Sequence, residues 1–374
     1  MSDILQTQEV GSLAKPDWRV APIRGDLITL DHVRQAASWA DKFGEDVVEV
    51  EDTFCQLRSE QLEEGKLSSA SKQVIKALSA RYSIRLQELA GLDIIYDGEQ
   101  DRAEMYQHAV AHTNGFEWAG RVRAFDNNSF RKAVCTGEVG ISEPWHTSEV
   151  QRLQHITDKT IKVPITGAYT IADWSYDAHY NDRETFVKDI AKNVIRPNIE
   201  SLLEQGVEWI QIDEPAAGTK PYETKLLVDS YNVSTAGLLG KFSIHICFSN
   251  YETLFPAVAE LENCSQFSLE FANRDPRTLG TNAAQRPALE VLKLFSKHTP
   301  EAAIGLGVAS VHDNEVESPQ LVRDRILRAV DIIGDPAKIN PSPDCGLRTR
   351  SWEVALSKLR TTTEGTLLAR DQLS

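Results

Sequence analysis

Residues 242–250, with the sequence FSIHICFSN, place an imidazole and a thiol two positions apart. The stretch begins with alternating apolar and non-apolar residues, which indicates a β-strand. Side chains two apart on a strand point to the same face, so we expect His245 and Cys247 to emerge side by side near the carboxyl end of the strand. Both are good ligands for a borderline-soft metal such as zinc. The pair alone is weak evidence, because a buried histidine beside a small buried cysteine is the commoner arrangement.

The elements that would position these side chains alternate along the chain, with short apolar runs followed by amphipathic helical runs. Eight candidate strands have this form: one leading into Val10, then residues 92–98, 161–167, 207–213, 242–250, 265–270, 302–308 and 338–341. Eight strands separated by helices predict an α/β fold of the (β/α)8 TIM-barrel type. A plain barrel needs roughly 250 residues, so the surplus predicts helical and strand-like insertions after strands 1 and 2 of a single domain, residues 1–374. A doubly wound sheet is disfavoured because no glycine-rich phosphate loop follows the first strand.

The barrel would bring candidate ligands together, because active sites of this fold lie at the carboxyl ends of the strands. Glu270 closes the sixth strand and Cys345 follows the eighth. With His245 and Cys247 they supply a nitrogen, two sulfurs and an oxygen, which is a tetrahedral zinc set. Two thiolates and a carboxylate make a strongly donating site, which suits a zinc that holds a substrate thiol as a thiolate better than one that activates water. A structural zinc site would instead use closely spaced ligand pairs in a loop.

Composition excludes several classes of function. The formal charge is −15 and the pI is near 5.1, which argues against nucleic acid and anionic membranes as partners. The five cysteines form no CxxC pair and no dense framework, as expected for a protein of the reducing cytoplasm. The first residues show neither a basic nor an apolar region of a signal peptide, and no apolar run approaches the length of a membrane span.

These motifs together resemble the catalytic barrel of the cobalamin-independent methionine synthase family. The matching pieces are Val10-Gly11-Ser12, Asp97-Gly98-Glu99, Thr166-Gly167 through Trp174-Ser175, residues 211–215 (QIDEP), His245 with Cys247, Leu269-Glu270, the segment around His312, and residues 344–350 (DCGLRTR). They occur in the expected order over nearly the whole chain. The resemblance implies transfer of a methyl group to the zinc-bound thiol of L-homocysteine, which gives L-methionine.

The resemblance also implies roles for individual residues. His245, Cys247, Glu270 and Cys345 resemble the zinc ligands. Asp213 and Glu99 resemble the pair that holds the substrate ammonium, and Gly11 and Ser12 the cradle of its carboxylate. Trp174 resembles the aromatic residue against which the donor ring packs, and His312 the acid that protonates the leaving amine of methyl-folate.

Each of these residues has a plainer interpretation. Asp213 could cap a helix before Pro215, and Glu99 could be a solvated charge. Trp174 could simply pack at the top of the barrel, and His312 could be an exposed loop histidine.

Two departures from the family pattern fall on the donor side. Folate-using members carry a second, amino-terminal barrel for which this chain has no room, and Ser310 and Asp313 flank His312 where an acid and a serine are expected. The chain resembles the short, single-barrel members, for which methylcobalamin or a methyl-corrinoid protein is the implied donor.

Three alternatives remain open at this point. The first is the same reaction with 5-methyltetrahydrofolate as donor. The second is a corrinoid-linked transferase acting on another thiol, such as coenzyme M. The third is a non-catalytic zinc-binding protein, which would need no donor pocket.

Overall fold

The computed structural model describes residues 4–123 and 129–374. Seven parallel strands make the main sheet, in the order β1-β4-β6-β7-β8-β9-β10, and three others make a small second sheet, in the order β2-β3-β5. In chain order the strands are β1 (Ile94–Ile95), β2 (Asn114–Arg123), β3 (Ser129–Gly140), β4 (Thr160–Thr166), β5 (Tyr176–Asp177), β6 (Trp209–Asp213), β7 (Lys241–Ile246), β8 (Gln266–Leu269), β9 (Ala303–Ala309) and β10 (Ile339–Pro343).

An extended segment at residues 7–9 closes the main sheet on itself. The backbone N–H of Gln8 donates to Pro341 O of β10 at 2.9 Å, and the N–H of Glu9 donates to Ile94 O of β1 at 3.1 Å. Gln8 also forms a parallel bridge with Ile94. The segment therefore stands in the place of the strand expected to lead into Val10, and the predicted (β/α)8 barrel is confirmed.

Thirteen helices surround the strands in the described part of the chain. They are α1 (Asp17–Arg24), α2 (Leu30–Phe43), α3 (Val47–Glu64), α4 (Ser69–Ala90), α5 (Met105–Ala111), α6 (Thr147–Leu153), α7 (Ala168–Trp174), α8 (Arg183–Ile190), α9 (Arg196–Glu204), α10 (Thr224–Thr235), α11 (Leu292–His298), α12 (Pro319–Ile333) and α13 (Trp352–Leu373). The helical insertion predicted after the first strand is α1–α4. On α4 the apolar stripe through Ile75, Leu78 and Tyr82 is buried, while Val74 at its edge is exposed.

The second insertion is a long antiparallel hairpin, β2–β3, extended by the two residues of β5. It follows β1 and α5, in the place of the strand-like insertion that the sequence predicted after the second barrel strand. Phe116 packs against Phe186 of α8, with ring centroids 6.2 Å apart, and this contact anchors the base of the hairpin to the barrel.

Polar side chains fill the lower part of the barrel. Lys162 Nζ donates to Gln8 Oε1 at 2.6 Å, and Gln266 Nε2 donates to the same oxygen at 3.2 Å. Asn340 Nδ2 donates to Gln266 Oε1 at 2.7 Å. Because buried polar groups are costly unless paired, this network fixes the side chains beneath the carboxyl ends of the strands.

A connected cluster of buried apolar side chains runs through the described residues, from Leu5 to Ala369. Among those residues, no helix is both long enough and apolar enough to cross a membrane.

Candidate functional site

Three of the four predicted zinc ligands meet at the carboxyl ends of the strands. His245 lies near the end of β7, Cys247 directly follows β7, and Cys345 lies two residues beyond β10. One ligand atom from each lies within 4.8 Å of the other two. The His245 Nε2 atom is 3.5 Å from the Cys345 sulfur, which is 3.8 Å from the Cys247 sulfur. This set of one imidazole and two thiols fits zinc.

The hydrogen bonds of His245 prepare it to bind a metal. Its Nδ1–H donates to the carbonyl of Ser268 on β8 at 3.1 Å, so Nε2 faces Cys345 and is the atom that carries the lone pair when the ring is neutral. Such a bond commonly fixes the tautomer of a metal-ligating histidine.

The contact between the two thiols shifts their pKa values in opposite directions. The hydrogen bond from Cys247, together with that from His245, holds the pKa of the Cys345 thiol well below its usual value. The same contact with Cys345, and burial, raise the pKa of Cys247. Although burial disfavours the charged imidazole, contact with Cys345 raises the pKa of His245 to about 9. These contacts therefore favour one thiolate beside a protonated imidazole.

Glu270, the fourth predicted ligand, lies beside this group and is fully buried. Its carboxylate accepts hydrogen bonds from Phe248 N and from Asn273 Nδ2, each at 3.2 Å. In the described residues the mutually close ligand group contains His245, Cys247 and Cys345 without Glu270. The structure thus brings three predicted ligands together and leaves the fourth, Glu270, beside them but outside the group.

Asp344, which the sequence analysis did not single out, holds the loops that carry two of these residues. Its carboxylate accepts hydrogen bonds from three successive backbone N–H groups, at Phe271, Ala272 and Asn273. These bonds tie the segment after Glu270 to the residue before Cys345. Burial raises the pKa of Asp344 to about 7 in spite of these donors.

The predicted substrate clamp borders the same space. Asp213 ends β6, and its Oδ1 accepts a hydrogen bond from Gln211 Nε2 at 2.8 Å. Burial raises the pKa of Asp213 to about 7. Gly11, Ser12, Glu99 and Asp213 line a cavity of about 360 Å³ that also reaches His245, Cys247 and Cys345. A Cβ atom at Gly11 would lie 3.6 Å from Glu99 Oε1, so the two predicted substrate-binding segments are in contact.

Glu99 has a left-handed backbone conformation, with φ of 57°. Its N–H donates to Asp97 Oδ1 at 2.8 Å, and Arg102 NH1 lies 3.6 Å from its Oε1. A left-handed conformation in a non-glycine residue costs about 1–3 kcal/mol and persists where surrounding contacts hold it. The loop thus points a buried carboxylate into the cavity.

The outer part of the cavity is lined by Trp174, half-buried at the end of α7, and by residues that sequence reasoning missed. Tyr106 packs edge-on against Trp174, with ring centroids 5.8 Å apart. The hairpin contributes Val122, Arg131 and Lys132, and the residues after β10 contribute Arg348. The alternation of residue types in β2 was the available signal for the hairpin, but its position above the barrel mouth depends on tertiary packing.

His312 lies near Glu270 and contacts Phe248, which belongs to the cavity lining. Its Nε2 is 4.0 Å from Glu270 Oε2, and its ring meets that of Phe248 edge-on at 4.9 Å. The Glu270 carboxylate raises the pKa of His312. Ser310 and Asp313, the two departures from the family pattern, make the following contacts. Arg277 donates to Asp313 at 3.0 Å, and the His312 N–H donates to Ser310 Oγ at 3.4 Å.

The family model and the relatives that match this chain all point to the same protein family. Residues 49–366 match the family described as "Cobalamin-independent synthase, Catalytic domain". A methionine synthase of Thermoplasma volcanium is 37% identical over 294 residues, which cover 74% of this chain and 84% of that protein. A methionine synthase of Thermococcus kodakarensis is 34% identical over 292 residues, covering 78% and 82% respectively.

A solved structure shares the fold over nearly the full length. The B12-independent methionine synthase from Shewanella sp. W3-18-1, determined in complex with selenomethionine, superposes with a TM-score of 0.77 at 24% sequence identity and covers 99% of each chain. These relatives do not support the expectation of methylcobalamin or a methyl-corrinoid protein as donor, because the matching family is defined by independence from cobalamin.

Proposed function

We propose a reaction for this chain, which belongs to the cobalamin-independent methionine synthase family: it transfers a methyl group to the thiol of L-homocysteine and releases L-methionine. The observation that carries the proposal is one cavity lined by both His245 and the two cysteines of the metal group and by the acidic residues Asp213 and Glu99. A metal group that activates a thiol and acidic residues that bind an ammonium group, both lining one cavity, suit a small amino acid with a thiol side chain.

His245, Cys247 and Cys345 would hold a zinc ion, with Glu270 as the adjacent carboxylate. When bound, zinc supplies Lewis acidity that favours the thiolate form of the substrate sulfur at neutral pH. The protein contributes the fixed tautomer of His245 and the burial of Cys247, with Cys345 partly buried beside it. Asp344 keeps the loops of Glu270 and Cys345 in register through its three N–H contacts.

The amino-acid part of homocysteine would bind beside this centre. Asp213 and Glu99 place two carboxyl groups in a buried wall, where a bound ammonium group would favour the ionised form of Asp213 and gain more from ion pairing than it would in water. Gly11 and Ser12, at the end of the closing segment, would receive the carboxylate through the Ser12 hydroxyl and nearby N–H groups. The clamp then directs the thiol toward Cys247 and Cys345.

We propose 5-methyltetrahydrofolate as the methyl donor. Its pterin ring would pack against Trp174 at the outer end of the cavity. The leaving group is an amine nitrogen, which must gain a proton as the methyl group departs, so a positioned acid is needed. His312, whose pKa is raised by Glu270, is the candidate acid.

The other functions have less support. A corrinoid-linked transferase to coenzyme M would not need the ammonium clamp, and a zinc-storing protein would not need the cavity of about 360 Å³ beside the metal group. We also propose that residues 1–374 form a single domain, in line with the connected apolar core of the described residues.

The test is turnover with defined substrates together with the variant Asp213→Asn. Purified zinc-loaded protein with homocysteine and methyl-folate should form methionine, measured by mass spectrometry. A charged hydrogen bond contributes roughly 1.5–3 kcal/mol, so Asp213→Asn should raise the homocysteine KM on the order of ten- to a hundred-fold while zinc content stays unchanged. Asp371→Asn, at the far end of α13, is the matched control. An unchanged homocysteine KM would contradict the clamp, and no methionine with any methyl donor would contradict the function.

A further inference from the structure

A second group of potential metal ligands lies away from the site described above. His108 is on α5, while His146 immediately precedes α6 and Glu149 lies in its first turn. One ligand atom from each of the three residues lies within 4.8 Å of the other two. His146 and Glu149 are each 2% exposed.

The imidazoles of this group lack hydrogen-bond partners among the described residues. His108 Nε2 and both ring nitrogens of His146 are buried and unpaired. His146 Nδ1 lies 3.3 Å from Glu149 Oε2, but it makes no aligned hydrogen bond. Leaving a buried polar group unpaired costs about 1–3 kcal/mol, so three such nitrogens in one place call for a missing partner, either water or an ion.

The protonation states of these three side chains favour binding of a metal cation over binding of a further proton. Burial lowers the pKa of His108 to about 2 and that of His146 to about 4, so both imidazoles are neutral and keep a lone pair. Burial of Glu149 disfavours its charged form, but the nearby Arg102 charge outweighs this effect and holds the pKa of Glu149 well below its usual value. The carboxylate is therefore ionised. Two neutral imidazoles and a carboxylate are a common ligand set for zinc and other first-row divalent metals.

The surroundings orient the carboxylate. Tyr96 Oη donates to Glu149 Oε2 at 2.6 Å, and Arg102 NH2 donates to the same oxygen at 3.1 Å. The same oxygen lies 3.3 Å from His146 Nδ1, so these donors hold it where it faces the imidazole. The Arg102 charge opposes a nearby cation, so the ion must gain its affinity from direct ligation.

We propose that His108, His146 and Glu149 form a second metal site, which takes a divalent first-row ion such as Zn²⁺ with water completing its coordination. The two imidazole planes are now inclined by only 15° with centroids 5.3 Å apart, so one ring must turn about its Cβ–Cγ bond for both to reach the ion. The bound ion would join α5 to α6. Arg102 connects this group to Glu99 at 3.6 Å, so the ion would brace the wall behind the substrate clamp.

Cobalt binding separates this site from the cysteine site. In a Cys247→Ser/Cys345→Ser background the thiolates are gone, so any tightly bound Co²⁺ should show a visible spectrum without the intense sulfur-to-cobalt charge-transfer band. We expect this background to bind one Co²⁺ per chain and to melt at a higher temperature when the ion is present. Adding His146→Gln should weaken binding at least tenfold, since even loss of a group that only orients a ligand costs about 10–100-fold.

Variants of two exposed histidines serve as controls for the loss of cobalt binding. His155→Gln and His179→Gln, which change exposed histidines outside the group, should leave cobalt binding unchanged. If His146→Gln does not fold, His108→Gln changes a less buried ligand and serves in its place. A background that binds no Co²⁺, or binds it equally after removal of either histidine, would overturn the proposal and leave water as the partner of these nitrogens.

Discussion

At the proposed metal centre the protonation state of each side chain follows from its neighbours. The Ser268 carbonyl accepts the only ring N–H that a neutral His245 carries, and this leaves Nε2 for the ion. Cys345 is the thiol that ionises first, because Cys247 and His245 both stabilise its charge. The protonation states of His245, Cys247 and Cys345 therefore depend on one another and must be considered together.

Replacement of Cys345 by serine tests the metal assignment. The hydroxyl is a poorer zinc ligand and is not ionised at neutral pH, so Cys345→Ser should lose most of its zinc and its methyl transfer activity. Elemental analysis of the purified variant gives the zinc content. Cys55→Ser, which changes an exposed cysteine on α3, should retain zinc at the level of the unmodified protein. Full zinc and full activity in Cys345→Ser would refute the assignment.

At the scale of elements, the loops that follow β8 and β10 depend on very close packing against β9. An added Cβ at Gly307 on β9 would lie 2.2 Å from Asp344 Oδ1 and 2.7 Å from the backbone oxygen of Leu269. Both approaches are closer than van der Waals contact permits. The glycine therefore lets the Asp344 carboxylate reach the N–H groups of residues 271–273, and these bonds set the spacing between the segments that carry Glu270 and Cys345.

Gly307→Ala tests this packing. Overpacking in a tight interior typically costs about 1–3 kcal/mol, and the Asp344 contacts should weaken as the loops separate. We expect a free energy of unfolding lower by that amount in urea titrations, together with weaker zinc retention. Gly137→Ala on β3 is the control, since its added Cβ would meet only Gly115 Cα at 3.8 Å. Equal stability of the two variants would show that the contact is not tight in solution.

The sequence predicts some of these elements better than others. The His245 strand was predictable because its alternation and the period of two on a strand fix which side chains share a face. Asp344 was not, since its role depends on three N–H groups about seventy residues away. The β2–β3 hairpin was predicted only as fragments, and its contribution of Arg131 and Lys132 to the cavity could not be inferred from local pattern. The second histidine group likewise joins two helices that are remote in sequence.

At the scale of the molecule, the barrel itself was predictable from the eight-fold alternation, although its first strand is reduced to residues 7–9. The barrel gathers candidate ligands that the chain separates by up to 100 residues, such as His245 and Cys345. Three of four ligands assemble, and Glu270 lies just outside the group. This last placement could not be foreseen, because the sequence defines which strand ends are adjacent but not the side-chain conformations at their tips.

The charge distribution of the whole molecule bears on the donor. The chain carries a formal charge of −15, yet the outer cavity is lined by Arg131, Lys132 and Arg348. These three cationic residues outnumber Glu104 and Asp173 in the same lining, which favours an anionic ligand, such as a folate with its carboxylates. The cavity of about 360 Å³ lies near the lower end of the range for pockets that enclose drug-sized ligands, about 300–1,000 Å³, and suits homocysteine with one flat ring better than a corrin.

The donor prediction rests on the leaving group. Methyl-folate departs as an amine that needs a proton, whereas a methyl-corrinoid departs as a low-valent cobalt species that needs none. We therefore expect methyl-folate to support turnover and His312→Asn to reduce kcat by roughly 10²–10⁴-fold, the usual effect of losing a general acid. Methionine formation with each donor, and zinc content as the check on an intact metal centre, are the measurements. His298→Asn, outside the cavity, should have little effect. Turnover with methylcobalamin alone, insensitive to His312→Asn, would contradict the folate proposal, because only a leaving group that requires no proton could make the histidine dispensable.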